Sequence, residues 1–98
     1  MDYKFEWDTA KASENIRKHQ VSFRRAGKVF HDPCAVSTFD DEHSQDEERW
    51  LTIGRDKSEI LLVVSHTFQK IDASLCQIRI ISALKATKNE RKQYEEVI

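Results

Sequence analysis

Apolar and charged residues alternate in Tyr3-Lys4-Phe5-Glu6-Trp7, which predicts a short edge strand. From Thr9 to His19 the pattern becomes helical, with Asp8 or Thr9 as its cap. The apolar face of this helix is thin, little more than Ala12 and Ile16. Lys11, Asn15 and Lys18 recur at i, i+4 and i+7, a stripe that a globular helix ordinarily fills with apolar side chains. Gln20-Val21 reads as a tight connector. Ser22 then caps a second helix running to about His31, with Phe23, Ala26 and Phe30 as its buried stripe. Asp32-Pro33 ends it, because proline restricts the residue before it and cannot extend the ladder.

The rest of the chain reads mainly as strands. One is expected at about Cys34–Phe39 and another over Glu48–Arg55. A third, Glu59–Phe68, has a nearly continuous apolar middle and fits a central position buried on both faces. Leu75–Ala83 alternates, placing Cys76, Ile78, Ile80 and Ser82 on one face and Gln77, Arg79, Ile81 and Ala83 on the other. The links at residues 55–58 and 69–74 are short enough for hairpins, which implies an antiparallel meander. Thr87-Lys88-Asn89-Glu90 matches a capping box opening a last helix to about Val97. The expectation is an α+β fold in one compact domain over residues 1–98. An antiparallel sheet of four to five strands carries two N-terminal helices and one C-terminal helix.

Charge changes the picture more than composition does. The net charge is −1, yet residues 1–31 hold 7 Lys and Arg against 4 Asp and Glu. Residues 32–48 hold none against 7, and residues 49–98 hold 9 against 6. Two basic regions flank an acidic insert, so a polyanion can bind where the basic segments converge in space. The longest apolar run, Ile60–Val64, is far too short to span a membrane. Residues 1–4 show no basic stretch leading into an apolar one, and the expected location is the cytoplasm. Cys34 and Cys76 lie in apolar-patterned segments and fit reduced core thiols.

No cofactor is expected. The four histidines are separated by 12, 12 and 23 residues, which is not metal-ligand spacing. There is no glycine-rich phosphate loop and no Gly-x-Ser-x-Gly elbow. Chemistry would therefore rest on side-chain acids, bases and cations. Arg79 sits mid-strand among Ile78, Ile80 and Ile81, so a packed sheet holds its guanidinium. Such a fork suits a phosphate, and equally a carboxylate such as Glu48 or one at the C-terminus. Arg91, Tyr94 and Glu95 share one face of the last helix, either as a working surface or as packing and pairing groups. Glu48-Arg49 follows the acidic loop and offers a base, or simply continues the charged surface. His19 lies at a helix C-terminus, where the dipole favours its protonated form. Trp7 fits core or edge packing.

Taken together, Phe5-Glu6-Trp7-Asp8, Lys11, Asn15, Lys18-His19 and Phe23, then Glu48-Arg49 and Gly54, then Arg79 to Ala83, Ala86-Thr87, Glu90-Arg91 and Tyr94 resemble the BrnT family of bacterial toxins. The resemblance spans nearly the whole chain. It implies a RelE-like ribonuclease fold and a metal-independent endoribonuclease that cleaves RNA and arrests growth. The implied partner is a cognate BrnA-type ribbon-helix-helix antitoxin, with operator DNA bound only through the complex. On that reading Arg79, assisted by Lys18 or Arg91, binds phosphate and the transition state. Glu48 or His19 transfers protons, and Tyr94 orients or stacks on the RNA. Lys11, Lys18, Arg49 and Lys85 contact the RNA strand. One departure stands out. After Ile81-Ser82-Ala83 the family usually has a basic pair beginning with arginine, and here the pair is Leu84-Lys85. The alternative is therefore an attenuated homologue serving as the antitoxin-binding half of a repressor complex.

Overall fold

The structure is a computed structural model that describes residues 1–96. Its elements are β1 (Asp2–Glu6), α1 (Thr9–His19), α2 (Phe23–Lys28), β2 (Val36–Phe39), β3 (Trp50–Arg55), β4 (Leu61–His66), β5 (Gln69–Lys70), β6 (Leu75–Lys85) and α3 (Lys88–Glu96). Val97, where the last helix was expected to end, lies outside the described residues. The strands form one mixed sheet in the order β1-β6-β4-β3-β2, with the short β5 also paired to β6. Strands β2, β3, β4 and β6 make the expected antiparallel meander. β1 adds a parallel pair, running beside β6 from Asp2 opposite Leu75 to Glu6 opposite Arg79. Among the described residues the sheet thus has six strands, the short β5 included, where four to five were expected, and the α+β class stands.

Helices α1 and α2 cover one face. Val21, Phe23, Ala26 and Val29 pack there on Leu62, Val64, Ile78, Ile80 and Ala83. α3 covers part of the other face, where Tyr94 packs on Ile53, Leu61 and Val63. Thr87 and Glu90 close the capping box that starts this helix: the Thr87 backbone N–H donates to Glu90 Oε1 at 2.8 Å, and Glu90 N–H to Thr87 Oγ1 at 3.3 Å. Gly54 is needed by a close approach, since a Cβ there would lie 2.7 Å from Val29 Cγ1.

Three local expectations change. β2 starts at Val36 because Asp32 takes the preceding donors: its Oδ1 accepts the Cys34 N–H at 2.9 Å and its carbonyl the Ala35 N–H at 3.1 Å. In α1 the inward residue is Asn15, 5% exposed, while Ile16 is 50% exposed, so the supposed polar stripe is split. The alternation of β6 also breaks. Ser65 pairs with Ser82 but His66 with Ile80, leaving Ile81 extra. That bulge puts Ala83 on the helix-covered face with Ile78 and Ile80.

Candidate anion-binding site

β1 pairs with β6 only as far as Arg79, and the chain then turns away through Trp7-Asp8 into α1. Beyond that point the β6 edge needs another partner, and Asn15 supplies it. Its Nδ2 donates to the Ala83 carbonyl at 2.8 Å and its Oδ1 accepts the Ala83 N–H at 3.1 Å. The same Nδ2 donates to the Val21 carbonyl at 2.8 Å, tying the end of α1 to the sheet. Asn15 is a side-chain continuation of β1, which explains an amide at a position where helix packing would favour an apolar residue.

Arg79 lies where β1 leaves off. Its neighbours Ile78 and Ile80 point into the helix-covered core, so its side chain emerges from the opposite face. Its backbone is pinned twice by Thr67: the N–H donates to Thr67 Oγ1 at 3.2 Å, and the carbonyl accepts the Thr67 N–H at 3.0 Å. Below this contact the buried His66 donates from Nδ1 to the Thr67 carbonyl at 2.9 Å. Its Nε2 accepts from Thr52 Oγ1 at 2.6 Å, and that oxygen is 2.7 Å from Ser37 Oγ. Burial pushes the imidazole pKa below the ordinary histidine value, which favours the neutral form that these bonds fit. The sequence reading missed His66, whose only signal was a polar residue ending an otherwise apolar strand.

The acidic loop folds back onto Arg79. The Asp40 N–H donates to the Arg49 carbonyl at 2.9 Å, and Ser44 Oγ accepts the Arg49 N–H at 3.0 Å, closing the loop at its base. Glu47 is thereby brought to the Arg79 guanidinium, and its Oε1 hydrogen-bonds Arg79 Nη2. The same oxygen is 3.7 Å from Arg49 Nη2. The bond from Arg79 holds the Glu47 carboxyl below the usual carboxylate range; burial opposes this, and the charges of Arg79, Arg49 and Lys11 add to the lowering. Arg79, Glu47 and Glu48 line one open groove with Glu6, Thr67, Phe68, Gln69 and Gln77. An adjoining hollow brings Arg79 together with Asp8, Lys11, Ile80 and Ile81.

Of the residues singled out in the sequence, the structure therefore gathers Arg79, Arg49, Lys11 and Glu48. Lys18 is exposed and paired with Glu14 at 3.1 Å, and His19 is half-buried at the end of α1. Lys85 is exposed at the end of β6. Arg91 is exposed on α3. Tyr94 is 2% exposed in the second core, and its hydroxyl donates to Asp32 Oδ2 at 2.8 Å. Burial and that bond push the tyrosine pKa up. Burial alone would raise the Asp32 carboxyl, but the N–H groups of Arg55 and Cys34 and the Tyr94 hydroxyl outweigh it and leave it low. Glu47 is not among the partners expected for Arg79, which are a phosphate, Glu48 or a carboxylate at the C-terminus.

A further hollow lies elsewhere, about 410 Å³ lined by Lys28, His31, Asp32, Pro33, Arg55, Asp56, Lys57 and Glu59. Its two inner carboxylates are already committed. Asp32 serves Tyr94 and the Arg55 N–H at 2.8 Å, and Asp56 takes Arg25 Nε at 3.0 Å and Nη2 at 2.9 Å. The Arg79 groove is therefore the candidate site, and the carboxylates of this hollow serve structural bonds. Among the described residues no group of three His, Cys, Asp or Glu side chains is arranged to hold a metal. No helix among them is long and apolar enough to cross a membrane.

Comparison with known proteins agrees with the fold. The crystal structure of the Brucella abortus ribonuclease toxin BrnT aligns with a TM-score of 0.57 at 21% identity, covering 89% of this chain and 100% of that one. At that identity the likeness concerns the fold. No curated protein matches the chain. The family model described as the ribonuclease toxin BrnT of type II toxin–antitoxin systems matches residues 7–90, the span that contains α1, the acidic loop and all of β6. The chain belongs to the BrnT toxin family.

Proposed function

We propose that this chain is the toxin of a type II toxin–antitoxin pair, a metal-independent endoribonuclease acting through the groove around Arg79. The observation that carries this reading is the rigid presentation of Arg79. Its backbone is bonded twice to Thr67 while its guanidinium lines a groove with Glu47 and Glu48; Lys11 lines the adjoining hollow, and Arg49 approaches the Glu47 carboxylate at 3.7 Å. RNA supplies its own nucleophile, so the protein must bind phosphate, stabilise charge and move protons. The 2′-hydroxyl oxygen attacks the adjacent phosphorus, the bond to the 5′-oxygen breaks, and a 2′,3′-cyclic phosphate and a 5′-hydroxyl result. Arg79 and Arg49 hold the non-bridging oxygens as charge builds on them, and Lys11 adds a third positive charge. Glu48 lines the same groove and forms no ion pair among the described residues, which suits it to take the 2′-hydroxyl proton, while the departing 5′-oxygen takes its proton from water. The partner is a cognate antitoxin of the BrnA ribbon-helix-helix type. Operator DNA is bound only through that complex, and the setting is cytoplasmic.

Purified protein is expected to cleave RNA in the presence of EDTA, and its induction without antitoxin to arrest growth. Arg79→Ala should lower cleavage by about 10²-fold or more while the protein stays folded. Undiminished cleavage in that variant would remove Arg79 from the chemistry. The second reading, an attenuated homologue retained for repression, is favoured by Leu84, 38% exposed next to Lys85 where the family resemblance leads one to expect arginine. A gain of cleavage and toxicity in Leu84→Arg supports it; unchanged activity in both proteins argues against it.

A further inference from the structure

We propose that Glu47 is a built-in substitute for the RNA phosphate, filling the anion seat between Arg79 and Arg49 in the free protein and leaving it when RNA binds. The inference rests on the ribonuclease reading of this groove. A carboxylate and a phosphodiester are both oxyanions, and a guanidinium fork accepts either in the same orientation. One Glu47 oxygen contacts Arg79 Nη2 and also approaches Arg49 Nη2 at 3.7 Å, the position a non-bridging phosphate oxygen would take. The seat is only partly satisfied by its occupant. Arg49 Nη2 stands 3.7 Å from the carboxylate, too far for a hydrogen bond, and Arg49 Nε is buried without a partner, so Glu47 leaves the Arg49 guanidinium short of bonds.

The occupant is also easily displaced. The Arg79 and Glu47 side chains are 40% and 37% exposed, and pairs so exposed are weak and reversible. The loop is closed at its base through Asp40, Ser44 and Arg49, so Glu47 can rotate away while the loop and the Arg79 backbone stay in place. The consequence is selectivity. A bare arginine cluster attracts any polyanion, whereas a filled one reduces every apparent affinity by the fraction of molecules whose seat is open. Only a strand that contacts the groove well beyond one phosphate overcomes the competition.

The test is binding of an RNA oligonucleotide with 2′-deoxy substitutions, which cannot be cleaved, followed by fluorescence anisotropy at fixed low salt. Glu47→Gln keeps the shape and removes the charge. Asp46→Asn changes the net charge equally on an exposed neighbour in the same loop. Glu47→Gln should tighten binding about three- to tenfold, and Asp46→Asn less than about twofold. Arg79→Ala should weaken binding more in the Glu47→Gln background than in the parent, because the seat is then open to RNA. Equal effects of the two loop variants, or weaker binding by Glu47→Gln, would overturn the substitution. Unchanged binding in Arg79→Ala would instead overturn the reading of the groove, whatever Glu47 does. Absence of binding in every variant overturns both. Thermal unfolding of each variant ensures that folded proteins are compared.

Discussion

Asn15 and Arg79 both interrupt apolar patterns, and they do opposite things. Asn15 is 5% exposed and gives all its hydrogen bonds to backbone groups, completing the β6 edge where β1 departs. Arg79 uses only its backbone to hold the strand, and its side chain faces outward to another charged side chain. A polar group that satisfies buried backbone is part of the fold, because removing it strands donors and acceptors away from water. A polar group that meets only an exposed counter-charge is nearly free of that duty and is available for a ligand. The two sites should therefore respond to mutation on different axes, one in stability and the other in RNA binding.

The largest effect is expected at Asn15. Asn15→Leu leaves the N–H and carbonyl of Ala83 and the carbonyl of Val21 without their partner. The loss should be about 3 kcal/mol, read from the urea midpoint at unchanged m-value. A loss below about 1 kcal/mol would mean that water or a shifted β1 replaces the amide, and the contrast with Arg79 would fail.

The buried imidazole comes next. Burial lowers the His66 pKa, so the unfolded chain takes up a proton that the folded one refuses. Stability should therefore be level above the unfolded value near ~6.5 and fall as the pH drops below it, by at most about 1.4 kcal/mol per unit. Asp32 and Asp56 have lowered pKa values, and their contribution is lost only in more acidic solution, as the pH falls below the unfolded carboxylate value of about 4. Urea titrations from pH 8 down to about 3 cover both windows and separate them. His66→Gln should flatten the first and leave the second; a slope that survives in that variant belongs to another group.

Much of this arrangement was legible in the sequence, in proportion to how local its causes are. The capping box at Thr87, the break at Asp32-Pro33 and the meander follow from neighbouring residues, and the five expected strands have counterparts, whereas the two-residue β5 lies in the 69–74 segment read as a turn. The parallel β1–β6 pair was hidden because no turn links strands from the two ends of the chain. The bulge at Ile81 was hidden for a related reason: it is fixed by the β4 register, and an unbroken Ile78-Arg79-Ile80-Ile81 run offers no local mark. Once those two features are missed, Asn15 looks like a surface residue and Glu47 looks unattached. Arg79 was found because a charge inside an apolar alternation is itself a local signal. Which carboxylate reaches it depends on how the loop closes through Ser44, and the spacing does not encode that.

A smaller effect tests whether Tyr94 belongs with Asn15 or with Arg79. Tyr94→Phe removes a hydrogen bond to a carboxylate in the second core but keeps the ring on Ile53, Leu61 and Val63. The expected cost is about 1–2 kcal/mol by thermal or urea unfolding, with RNA cleavage per folded molecule unchanged. Loss of cleavage beyond the folded fraction would return Tyr94 to the site and blur the division between structural and working polar groups.

The smallest stability change is expected where the functional change is greatest. Arg79 and Glu47 are each more than a third exposed, so solvent screens their attraction and the pair adds little to folding. Glu47→Gln and Arg79→Met should each shift the unfolding free energy by less than about 0.5 kcal/mol, and adding salt should narrow the difference further. Methionine keeps much of the aliphatic stem of Arg79, so lost packing does not mimic a lost charge. The Lys18–Glu14 pair on α1 is a useful measure of a bland surface bridge, with side chains 55% and 49% exposed. Lys18→Met should match Arg79→Met in stability and differ from it in RNA binding. If Arg79→Met instead costs as much as Asn15→Leu, the guanidinium is structural, Glu47 is its permanent partner, and the groove loses its claim to an exchangeable anion.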